Sequence, residues 1–199
     1  YDSQTETYPV DVPLTMLFGD LPITDIKVST DEKKIFNDSV SSEYSFKETL
    51  KNVLQHPTVA SKSFLITIGD RTVGGMVARD QFIGPYQVPV SDYSMSLRSF
   101  TSSGGEVLTI GEKPTIAINN PAASMRMAMA EALLNMSGAY IKGLDEVQVS
   151  ANWMAATGEG VEDLSLRDGV EALSECCVSL NISVPVGKDS LSMKTKWQE

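Results

Sequence analysis

Residues 121–155 read PAASMRMAMAEALLNMSGAYIKGLDEVQVSANWMA, and this stretch carries the reading of the fold. Pro121 suits a first helical turn, and Met125, Met129, Leu133 and Met136 recur at helical spacing. The spacing predicts a helix over 121–138 whose methionine stripe is core. EVQVSANWMA (146–155) reads as a buried strand. Downstream, Asp163 or Ser165 opens a second helix running to about Leu180, and ISVPVGKDSLSMKT (182–195) is a last strand interrupted at Pro185, Val186 and Gly187. Upstream, SFLITIG (63–69) is expected as a strand, and residues 74–100 mix a glycine-rich turn with at least one strand near Val88–Leu97. EVLTIG (106–111) and TIAIN (115–119) are strand-like on either side of a turn at Gly111–Pro114. Helices and strands intermingle, with connections too short for a regular parallel βαβ series. The expected class is therefore α+β with helices on one face of a sheet.

The first 45 residues differ. YPVDVPLTMLFGDLPI (8–23) carries three prolines and scattered apolar residues without a helical or strand period, which predicts an extended arm over 1–45. Val10, Val12, Leu14, Met16, Leu17 and Phe18 would be poorly placed in water, so the arm is expected to pack on this domain or a neighbour. Ser45 then opens a helix with a capping box to Glu48; Leu50, Val53 and Leu54 form its apolar stripe, and Pro57 stops it.

Composition narrows the function classes. The 199 residues include 16 basic and 26 acidic side chains, so 16 − 26 gives a formal net charge of −10. That balance argues against nonspecific nucleic-acid binding, which needs clustered Lys and Arg. No apolar run approaches the roughly 18 residues that span a bilayer, and YDSQTETYPV lacks the basic and apolar regions of a signal peptide. A cytoplasmic protein with no membrane partner is expected. Cys176 and Cys177 are adjacent, a spacing that suits neither a structural disulfide nor a CxxC pair. The single His56 leaves no histidine-based metal cluster.

Candidate chemistry rests on a few oxygen donors. Glu131 and Asn135 stand at i and i+4 on one helix, and Asp92 interrupts the otherwise uncharged VPVSDYSMSL. Glu, Asn and Asp oxygens suit a hard cation such as magnesium, though a solvated helix face accounts for the same spacing. GDRTVGG (69–75) and PVGKDS (185–190) are glycine-containing turns that could offer N–H groups to phosphate, with Lys188 adding charge and Ser190 a hydroxyl. Neither matches a P-loop or a dinucleotide fingerprint, and on the residues alone tight turns are the preferred account of the glycines.

FLITIGDRTVGGMVARDQFIGPYQVPVSD (64–92), SANWMAATGEGVED (150–163) and PVGKDSLSMKTKW (185–197) resemble the large, single-chain form of phosphoribosylformylglycinamidine synthase. The likeness extends from the proline-rich arm to Trp197. Members of that family convert formylglycinamide ribonucleotide to the amidine with ATP and glutamine. They contain two pseudo-symmetric synthetase halves followed by a glutaminase domain. The resemblance implies the N-terminal domain of the second half over 46–199, preceded by a linker arm over 1–45. It further implies an aminoimidazole-ribonucleotide-synthetase N-terminal-like fold with a mixed or antiparallel sheet. The implied partners are the equivalent first-half domain, the second-half C-terminal domain and the glutaminase domain of the parent chain, or a homodimer for the isolated fragment. The fragment alone is expected to be inactive.

In that family the second half holds an auxiliary ADP with magnesium, while turnover occurs at the site associated with the first half. Carried over residue by residue, the metal ligands fall on Asp92, Glu131 and Asn135, and a nucleotide contact falls on Ser91. Lys188 and Ser190, with Asp189 between them, receive a phosphate-side role. Ser91 and Tyr93 depart from the small residues frequent in relatives, which puts a side-chain contact at Ser91 in question. Two functional classes follow: part of a glutamine-dependent carbon–nitrogen ligase, or a non-catalytic scaffold against which the active half folds. A related synthetase domain serving another ATP-activated substrate is the further alternative.

Overall fold

The structure, a computed structural model, describes residues 1–19, 25, 27–28, 44–67, 69, 71, 73–158 and 160–197. Their elements in chain order are α1 (Leu14–Phe18), α2 (Phe46–Gln55), α3 (Ser63–Thr67), β1 (Val77–Arg79), β2 (Ser94–Leu97), β3 (Gly105–Leu108), α4 (Pro114–Ala117), α5 (Pro121–Met136), β4 (Gln148–Met154), α6 (Val161–Leu180) and β5 (Ser183–Ser190). Strands β1, β2 and β3 form an antiparallel sheet in that order, and β4 pairs with β5 in parallel. The α+β class expected from the sequence describes this architecture.

Helix α5 starts where its sequence starts it. The Asn120 side chain accepts the Ala123 N–H at 2.9 Å, and Pro121 occupies the first turn, where a missing N–H costs nothing. Met129 is buried, with Met125, Leu133 and Met136 packed beside it. Strand β4 turns Ala151 inward with half-buried Val149 and Trp153, and leaves Gln148, Ser150, Asn152 and Met154 exposed. Leu173, Cys177 and Ile182 complete the cluster, so α5 and α6 cover one face of the β4–β5 pair. Each such apolar side chain contributes roughly 1.5–3 kcal/mol when fully buried. Asn181 ends α6 in the left-handed conformation at φ 55°, which asparagine tolerates better than most residues. Burial, and secondarily the neighbouring Cys176, pushes the Cys177 thiol up, so it behaves as an inert packing group.

Several expectations are corrected. Residues 63–67 form a helical turn rather than a strand. Among the described residues no strand pairs with them, and the backbone bonds locally instead, with Thr67 Oγ1 donating to the Ser63 carbonyl at 3.0 Å. Residues 114–117 are likewise helical: Pro114 presets the first turn, and the Asn120 N–H donates to Ile116 O at 2.8 Å. Short apolar runs of this kind do not distinguish strand from helix. Pro185 does not break the last strand. Ser183 pairs with Gln148 and Val186 with Ser150, so two residues on β5 face one on β4, and the irregularity absorbs the proline. The β4–α6–β5 connection is itself a parallel βαβ unit, which the reading of short connections had set aside.

The capping box is present. Glu48 N–H donates to Ser45 Oγ at 3.3 Å, and Ser45 N–H donates to Glu48 Oε2 at 2.9 Å. Within 1–19 the arm holds an Asp2–Thr7 bridge and the single turn α1 instead of continuous extended chain. Most of the remaining arm expectation, over 20–24, 26 and 29–43, lies outside the described residues.

Candidate nucleotide and metal site

The junction between the three-stranded sheet and α5 begins with a residue that has no side chain. A Cβ at Gly111 would collide with the Ala128 carbonyl and crowd the Ala132 N–H. Glycine there lets residues 110–113 lie flat along α5. The Glu112 N–H consequently donates to Glu131 Oε2 at 2.9 Å, and Lys113 Nζ reaches Glu131 Oε1 at 2.6 Å. One turn further, Asn135 Nδ2 donates to the Ile110 carbonyl at 3.2 Å. The Lys113 ammonium, and then the Glu112 N–H, hold the Glu131 carboxyl below its ordinary value. Glu131 and Asn135 thus share a docked face rather than a solvated one.

Asp92 is exposed in the bend ahead of β2, between half-buried Ser91 and Tyr93. Tyr93 ties this bend to the end of α5, its hydroxyl donating to the Gly138 carbonyl at 2.9 Å. A side chain at Gly138 would come within 2.8 Å of the Tyr93 ring, so the contact depends on glycine. Links from the segments flanking the sheet therefore reach α5 at Glu131 and Asn135, through residues 110–113, and the turn after α5 at Gly138, through Tyr93. Among the described residues no hydrogen bond or ion pair joins Asp92 directly to Glu131 or Asn135.

Ser91 is held by three hydrogen bonds. Its N–H donates to Gln81 O at 2.8 Å, and its hydroxyl accepts from Arg79 Nε at 2.8 Å while donating to Tyr93 O at 2.6 Å. The loop before it closes on itself through the Phe82–Val90 bridge and a turn in which Gly84 has φ 77°. Lys188 and Ser190 lie elsewhere, on β5, paired with Asn152 and Met154 of β4. Paired residues of neighbouring strands share a face, so Lys188 sits with exposed Asn152 on the side of the pair away from α5 and α6. The structure docks Glu131 and Asn135 on residues 110–113, ties the Ser91–Asp92 bend to Gly138 through Tyr93, and leaves Lys188 and Ser190 on a second sheet.

The sequence reading missed Lys113, Arg79 and the role of Gly111. Lys113 was absorbed into a turn, and its partner lies 18 residues away on another element. The signal available for Arg79 was an arginine on a short strand of otherwise small and apolar residues, VAR at 77–79.

Over residues 61–199 the chain is a PurM N-terminal-like domain. A family model described as the FGAR-AT PurM_N-like domain matches residues 61–199, and the chain belongs to that family, a domain type of the purine-biosynthesis ligases. Among the described residues no helix is long and apolar enough to cross a membrane.

Proposed function

We propose that the chain is part of a large, single-chain phosphoribosylformylglycinamidine synthase, with residues 46–199 as the N-terminal domain of its second half and 1–45 as the preceding linker. In this reading the domain binds an auxiliary magnesium nucleotide, ADP or ATP, and supports the half in which amidine synthesis takes place. The observation that carries the site is the docking of residues 110–113 on α5, which engages both Glu131 oxygens, holds its carboxyl below the ordinary value and bonds the Asn135 amide nitrogen.

The donor set fits the group. Two carboxylates and an amide oxygen suit a small hard cation, and with its nitrogen bonded to Ile110 O, Asn135 keeps Oδ1 for another partner. Asp92, Glu131 and Asn135 would hold magnesium; Ser91, Lys188 and Ser190 would serve the nucleotide. Magnesium supplies charge neutralisation on phosphate oxygens when bound. The Lys113 ammonium now occupies a cationic position on Glu131 Oε1, and a metal there would displace it.

That same ion pair favours a second reading, a purely structural domain in which Glu131 and Asn135 only pin the sheet to α5. The two readings part in the full-length protein, by ADP retained through purification and by thermal stability with and without a chelator. Asp92→Asn and Glu131→Gln are each expected to lower retained ADP and blunt the chelator response, the double change being less than additive because one site is shared. Asn135→Ala should cost less. Full ADP retention and an unchanged chelator response in both carboxylate variants would leave the scaffold reading standing.

A further inference from the structure

Two arginines flank the loop before β2, and they are neutralised differently. Arg71 lies over the Phe82 ring at 4.9 Å and pairs with Asp80 Oδ2 at 3.0 Å. Arg79 lies over the Tyr93 ring at 4.4 Å, with Nε on Ser91 Oγ at 2.8 Å. Among the described residues no carboxylate lies within ion-pair distance of Arg79. Its side chain is half-buried, and a guanidinium has five N–H donors, of which the serine takes one. The four on the terminal nitrogens form a planar fork matched to an oxyanion.

The support beneath this fork is rigid. Ser91 accepts from Arg79, donates to the Tyr93 carbonyl, and has its own N–H on Gln81 O. Tyr93 is in turn fixed to Gly138 beyond α5. A partly desolvated cation without a counter-charge is costly, yet Ser91 and Tyr93 both orient this one. We propose that Arg79 binds a phosphate-type oxyanion next to Asp92, with Ser91 and Tyr93 as positioning residues. Identification of that oxyanion as a nucleotide phosphate rests on the magnesium-nucleotide reading; the anion site itself does not.

The test is titration of the 199-residue chain, at low ionic strength with chelator, using inorganic pyrophosphate and separately ribose 5-phosphate, followed by heat release and melting temperature. At least one ligand is expected to bind, with affinity falling steeply as salt rises. Preference for pyrophosphate identifies a polyphosphate source, and preference for ribose 5-phosphate a sugar phosphate. Arg79→Gln should weaken binding by about tenfold or more. Arg79→Lys should weaken it less, since charge remains and the fork is lost, while Arg98→Gln on the same sheet should change nothing. No binding by the unaltered chain, or equal affinity in Arg79→Gln, overturns the proposal; if that variant does not fold, unchanged affinity in Arg79→Lys overturns it. A parallel titration with magnesium and ADP separates the two readings. Loss of ADP binding in Asp92→Asn with none in Arg79→Gln overturns the identification of the oxyanion as a nucleotide phosphate, and pyrophosphate binding through Arg79 without any effect of Asp92→Asn on ADP sinks the metal reading alone.

Discussion

The α5–α6–β4–β5 region and the β1–β2–β3 sheet are stabilised in different ways. Among the described residues every buried apolar side chain except Phe82 falls between Met129 and Ile182. The three-stranded sheet instead leaves Val77, Leu108 and, just beyond β3, Ile110 exposed, and it is held to α5 through polar contacts at Glu131, Asn135 and Gly138. The α5–α6–β4–β5 region holds the apolar core, although Leu134, Met154, Val178 and Val186 stay exposed, and the candidate site sits where α5 meets the segments flanking the three-stranded sheet, held by polar contacts.

Paired truncations put the contrast under most strain. Leu173 is 7% exposed, and Leu173→Ala should destabilise the chain by about 2–5 kcal/mol. Leu108 is 67% exposed, and Leu108→Ala should stay within about 0.5 kcal/mol. Denaturant melts of both variants check this; comparable losses would mean that the sheet has a core of its own.

A middle-sized effect is expected from Gly111→Ala, at about 1–3 kcal/mol, because the new methyl group must push residues 110–113 off α5. Proton resonances of the Glu112 amide and the Asn135 side chain should move together in that variant while those of β4 stay in place. Movement confined to residue 111 would show that the junction adapts.

The smallest effect is a pH dependence. Glu131 is depressed in the folded chain by Lys113 and the Glu112 N–H, so its contribution is fully present above the ordinary glutamate value and fades as pH falls through the lower folded value. Glu131→Gln should therefore flatten the acid limb of the stability profile and leave its neutral portion unchanged in slope. An acid limb of the same steepness in both proteins would remove Glu131 from the account.

The two regions were also unequally legible. Helix α5 announced itself through Pro121 and its methionine spacing, β4 through its run of valine, alanine and tryptophan, and α2 through Ser45 and Glu48. These are local signals, three or four residues across. The turns at 63–67 and 114–117 were misread because four or five apolar residues fit either period, and whether a strand partner exists is a fact of distant sequence. Glu131 and Asn135 could be named from their spacing. That Lys113 and Ile110 would meet them could not be, since the contact depends on a glycine whose reason for being there is a helix further on.

Cys177 carries a consequence in time rather than energy. It is 3% exposed at the contact of α6 with β4, next to half-buried Cys176. A thiol reagent needs both access and the thiolate, and burial withholds both from Cys177. Its modification waits for α6 to lift, so the lag between the two adjacent thiols is a clock on how often the core breathes.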